Sequence, residues 1–146
     1  MKQGHEMDGH RMAAGMNRQA YQTLAVNLVL SLIIMYLGMF AMIWSGGEFV
    51  QNVNFLYMAL VMWAPMAIVM MLTMKGMYQY RRINFVLYTV FALTLLLSFA
   101  AIRGQTLVGD RQFLRSMIPH HSGAILMCEK AEISDPEIQQ LCKNII

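Results

Sequence analysis

Residues 55–74 read FLYMALVMWAPMAIVMMLTM, a run without a charged side chain. As a helix rising about 1.5 Å per residue it reaches about 30 Å, the thickness of a bilayer's hydrocarbon core. Two more runs share the property, Tyr21 to Trp44 and Ile83 to Ile102. Composition agrees: 58% of the 146 residues are hydrophobic and 13% are charged, a balance that suits lipid better than water. The expected fold is therefore all-α, with residues 21–102 forming a three-helix transmembrane anchor. A cleaved signal peptide is the poorer reading of the first run, which is too long and lacks a small-residue cleavage site after it.

Charge in the connections sets the orientation. Lys2, Arg11 and Arg18 precede the first run, and Lys75, Arg81 and Arg82 fill the second connection, whereas SGGEFVQNVN (45–54) has no Lys or Arg. By the positive-inside rule the amino terminus and second connection are cytoplasmic, and the carboxy-terminal segment is extracytoplasmic, in the periplasm if the membrane is a bacterial plasma membrane. Arg103, Arg111 and Arg115 weaken this asymmetry without reversing it. Tyr21, Trp44, Tyr57, Tyr78 and Tyr80 lie near span ends, where amphipathic rings favour the interface. The net charge of +3 is largely this topology signal, and no basic stripe interleaved with aromatics points to nucleic acid.

Within the spans the polar side chains include Asn27, Ser31, Thr73, Asn84, Thr94 and Ser98, with no Asp, Glu, Lys, Arg or His. Proton-coupled transport usually needs ionisable groups at depth, so the membrane part reads as an anchor or as one subunit of a larger assembly. Met58, Met62, Met66, Met70 and Met74 recur every four residues. Such a stripe winds round the helix, and flexible thioethers filling helix interfaces explain it more simply than a ladder of ligands. Pro65 is expected to bend this span. Residues 1–20 carry His5, Met7, His10 and Met12 among Gly and charged side chains. They read as a disordered cytoplasmic tail or, more sharply, as a loose metal-collecting one.

Beyond Arg103 the character changes, and residues 103–146 are expected to fold as a helical hairpin outside the cytoplasm. Its first helix runs from an Asp110 cap to about Ala131 and contains RSMIPHHSGAILMCEK (115–130). At about 100° per residue, Met117, His120, His121, Met127 and Cys128 fall within an arc of roughly 120°. Imidazole and thioether together suit copper, because Met binds Cu(I) without losing a proton and His serves either oxidation state. The bland alternative is two ordinary imidazoles and two core methionines. Pro119 either kinks this helix or begins a new one, and the second option would move Met117 off the face. SDPE (134–137) restarts a helix, with Ser134 and Glu137 at capping-box spacing and Pro136 in its first turn. Ile138, Leu141, Cys142 and Ile145 then give an apolar stripe. Cys128 and Cys142 are equidistant from Asp135, so across an αα-hairpin they either bridge or remain as metal ligands.

From Gly109 to Ile146 the run GDRQFLRSMIPHHSGAILMCEKAEISDPEIQQLCKNII resembles the opening of the domain of unknown function 305 family. The resemblance implies the first half of a ferritin-like helical bundle, a place outside the cytoplasm, and copper binding through Met117, His120, His121 and Met127. The three-span part resembles membrane-anchored members. In the family the second helix usually runs on to a Gln, an acidic residue and a further Met, whereas this sequence stops at Ile146. Either the sequence is a fragment or another copy supplies the partner helix.

Three functions compete. The first is copper buffering, transfer or resistance, with the bilayer, the copper ion, and either a copper-handling protein or a second copy as partners, and with no catalysis. The second is a metal-dependent oxidase, disfavoured because the Glu-x-x-His pairs of di-iron bundles are absent. The third is a structural subunit of a membrane complex, indifferent to metal.

Overall fold

The computed structural model describes the backbone of residues 2–146 and the side chains from Arg18 onward. The secondary candidate ligands His5, Met7, His10 and Met12 lie outside the described side chains. Five α-helices follow in order: α1 (Lys2–Gly38), α2 (Val53–Thr73), α3 (Arg81–Gly104), α4 (Asp110–Lys130) and α5 (Pro136–Ile145), with a 3₁₀ turn at Gly46–Glu48. Among the described residues the fold is all-helical. Three segments are long and apolar enough to cross a membrane: Arg18–Gly38, Val53–Thr73 and Arg81–Gly104.

The first of these ends earlier than its apolar run, at Gly38 rather than Trp44. The backbone tightens there into successive i→i+3 turns, Phe40 N–H to Leu37 O and Ala41 N–H to Gly38 O. The cause is nonlocal. Phe40, only 4% exposed, is drawn against Phe49 and Phe55, with ring centroids 4.1 and 5.0 Å away.

α2 is the middle of the three-helix bundle and packs against both α1 and α3. Small residues permit the close approach: Ala59, Ala64 and Ala67 are fully buried, and Met71 fills the space one turn beyond Ala67. The core joins Leu24 and Leu28 of α1, Ala64, Ala67 and Met71 of α2, and Phe91 of α3. Pro65 sits inside an α2 that remains one helix. Trp63 Nε1 donates to the Leu28 carbonyl at 2.8 Å, a bond from α2 to α1. Large apolar side chains such as Ile34, Phe85 and Leu97 stay exposed on the outer faces of these helices. At the end bearing the second connection, Tyr21 Oη donates to Asn84 Oδ1 at 2.7 Å, and Asn84 Nδ2 donates to the Tyr78 carbonyl.

At the opposite end Gln105 adopts a left-handed conformation (φ 47°) and Leu107 another (φ 63°), turning the chain from α3 into α4. Asn54 Nδ2 donates to Gln105 Oε1, and Tyr57 Oη to the Thr106 carbonyl, so the turn is tied to the start of α2. α4 then lies across the 3₁₀ turn and the first part of α2, which places the candidate ligands at the end of the three-helix bundle remote from Lys75, Arg81 and Arg82.

Candidate metal centre

Gly109 caps α4 in extended conformation and Asp110 occupies the first turn, where its charge complements the helix dipole; the expected Asp110 cap is thus displaced by one residue. Pro119 lies within an unbroken helix, so Met117 keeps its place on the face. The buried side of α4 is Ser116, Pro119, Ser122 and Gly123. These small residues let the helix approach closely. A methyl group built on Gly123 would meet the Met42 carbonyl oxygen at 3.5 Å.

One hydroxyl fastens this face. Ser122 Oγ accepts from the Trp44 N–H at 2.6 Å and donates to Glu48 Oε2, which also accepts from the Ser45 N–H at 3.0 Å. The Ser122 bond, seconded by the Ser45 N–H, favours the carboxylate form and holds the Glu48 carboxyl below its ordinary pKa. The Lys130 ammonium stands 5.5 Å from the Trp44 ring centre and adds a cation–π contact. The sequence reading missed this clamp; its partners lie 74 to 78 positions apart, and the small Ser122–Gly123 pair was the one local hint of close packing.

Beside the clamp, Met117 and His120, neighbours across one turn of α4, open into a cleft of about 220 Å³. Its other walls include Asn54 and Met58 of α2 and Ile102 and Gln105 from the end of α3. His121 points away from these walls round the helix, its ring centroid 6.1 Å from that of His120 and its plane inclined by 77°. With metal–nitrogen bonds of about 2 Å, that spacing is roughly the outer limit for two rings on one ion. The pair therefore shares an ion only after a side-chain rotation, or serves two.

The rest of the expected arc is not part of this cleft. Met127 lies seven residues beyond His120, about 10 Å along the helix axis. It lines instead an apolar groove with Ile138, Leu141 and Ile145 of α5. A common azimuth on a helix is not a common site. Cys128 and Cys142 form a disulfide with Cα atoms 5.4 Å apart, so neither thiol is left to bind metal. α5 starts one residue later than the Ser134 capping box anticipates. Asp135 is the cap, its carboxylate accepting from the N–H groups of Glu137 and Ile138 at 2.8 and 3.3 Å.

The donor chemistry of the cleft fits a soft cation. Among the described residues no three His, Cys, Asp or Glu side chains gather, so the site offers thioether and imidazole rather than carboxylates. Asn54 Oδ1, on the cleft wall, is enclosed without a hydrogen-bond partner, a polar group of the kind that ligand sites leave unsatisfied.

Residues 96–146 match the family described as Domain of unknown function (DUF305). The DUF305 match begins inside α3 and takes in α4, α5 and every candidate ligand outside the amino-terminal stretch. The chain is also 32% identical over 104 residues to "Uncharacterized protein L153" of Acanthamoeba polyphaga mimivirus. That alignment covers 70% of this chain and 66% of the viral protein, just under two thirds of its length. No solved structure matches.

Proposed function

We propose that the protein is a membrane-anchored copper-binding protein that buffers the metal, or passes it to a partner, outside the cytoplasm of a bacterium. The anchor holds the DUF305 segment at the membrane surface, and the chain has no catalytic step of its own. The hairpin is read as the first half of a ferritin-like bundle. One observation carries the function: Met117 and His120 open into the same cleft at the end of the anchor. A thioether binds Cu(I) without proton release, and a neutral imidazole binds either oxidation state. His121, exposed beside them, supplies an entry ligand or a second position.

Copper tolerance and copper content test this reading. Cells carrying His120→Ala with His121→Ala should lose the tolerance to excess copper, and the bound copper, that the wild-type protein provides. Equal tolerance and equal copper content would favour a scaffold instead. One feature speaks for that second reading: the α4–α5 groove leaves Met127 and Leu141 54% and 57% exposed, an apolar face suited to another subunit.

A further inference from the structure

We infer that Met58 of α2 is a third ligand in the cleft of Met117 and His120, making a two-thioether, one-imidazole site for Cu(I) shared between a membrane span and the hairpin. This deepens the copper-binding reading and rests on it. Met58 lies in the second turn of α2, where that helix meets the docked hairpin. It is 44% exposed, and its position on the cleft wall distinguishes it from the other members of its four-residue stripe. Met62, one turn deeper and equally exposed, is not on that wall. Met70 packs against the anchor's core. The stripe is thus packing and lipid contact for most of its length and a donor only at its outer end.

Charge and polarity select the ion. All three donors are neutral, and Phe55 and Ile102 line the same cleft. The nearby Glu48 carboxylate is engaged by Ser122 and Ser45. Moving a cation out of water into such surroundings costs more as its charge rises, so a monovalent ion is favoured over a divalent one. Thioethers strengthen the preference, being soft donors that suit Cu(I) and need no deprotonation. Because one ligand comes from α2 and two from α4, bound metal also fastens the hairpin to the anchor. Ligand that binds only the docked state stabilises it by mass action.

The test uses the full chain in detergent or nanodiscs, with Cu(I) presented against a colorimetric chelator and X-ray absorption counting sulfur neighbours. Met58→Leu should weaken Cu(I) binding by about tenfold or more and lower the sulfur count from two to one. Met62→Leu should change neither. Loaded wild-type protein should resist proteolysis between α3 and α4 longer than the metal-free form, and Met58→Leu should lose that protection. Unchanged affinity in Met58→Leu, alongside losses in Met117→Leu and His120→Ala, would overturn the inference and leave the copper-binding reading standing. A single sulfur neighbour in the wild-type spectrum would do the same even if Met58→Leu fails to fold. Failure of the wild-type chain to take Cu(I) from the chelator would overturn both.

Discussion

Ser122 has one oxygen and two partners, and it is 2% exposed. Ser122→Ala leaves the Trp44 N–H without its acceptor, at a net cost of about 0.5–1.5 kcal/mol to the docking of α4. Thermal unfolding followed by Trp fluorescence should show the midpoint fall, with α4 becoming more accessible to protease. Glu48 makes the same contact sensitive to pH. Its pKa is lowered by the Ser122 hydroxyl first and the Ser45 N–H second. A carboxyl whose folded pKa is depressed stabilises the fold above its ordinary pKa, and that contribution disappears as pH falls through the lowered value. The wild-type hairpin should therefore stay docked at neutral pH and loosen only on acidification below the ordinary carboxylate range. In Glu48→Gln this acid step should be absent from the Trp44 fluorescence titration; an identical step in the variant would assign it to another group.

The hairpin is held by its bridge as well as by its packing. Cys128 and Cys142 close a loop of 14 residues, and α5 has no fully buried residue of its own. In the chain-entropy account a bridge over such a loop contributes about 3 kcal/mol, so replacing both cysteines by serine should release α5 from α4, seen as rapid amide exchange over residues 136–145. The proposed copper binding at Met117 and His120 should survive within a few-fold, because the bridge lies two turns further along α4. Loss of binding in that variant would tie the site to α5 and restore Met127 as a ligand. The same elements show what a sequence can yield. Three apolar runs, a proline-started last helix and two cysteines equidistant from Asp135 were legible because each signal is local or symmetric. The end of α1 was not, since Phe40 leaves the helix for Phe49 and Phe55, partners that hydropathy cannot weigh. The cap of α5 was misplaced by one residue because Ser134 fits the template as well as Asp135 does, until Pro136 takes the first helical position and leaves Asp135 as the cap. At the site, helical spacing grouped Met117 and His120, which line one cleft, with Met127 by angle while ignoring rise. Met58 and the Ser122–Glu48 contact depend on how separate helices meet, and no spacing encodes that.

At the scale of the molecule the two ends of the three-helix bundle differ in kind. One carries the second connection with Lys75, Arg81 and Arg82; the other carries the 3₁₀ turn, the Gln105 turn and the docked hairpin. Glu48 and His120 belong to the same end of the three-helix bundle, because Ser122 joins α4 directly to Glu48. On the proposed membrane-anchored reading, the positive-inside rule assigns the Lys75–Arg82 end to the cytoplasm and the cleft to the outside. Gly47 and Gly76 test the assignment, one at each end. Neither has a positive φ, and a side chain at Gly47 meets only the Ser45 hydroxyl at 3.8 Å, while at Gly76 it meets nothing within 4 Å. Cysteine at either position should leave the fold intact, and the native pair, being bridged, gives no background thiol. In intact cells a membrane-impermeant maleimide should label Gly47→Cys at once and Gly76→Cys only after permeabilisation. The opposite pattern would put the Met117–His120 cleft in the cytoplasm. Copper handling would then have to draw on the cytosolic pool, and the proposed role outside the cytoplasm would fail even with the cleft's chemistry unchanged.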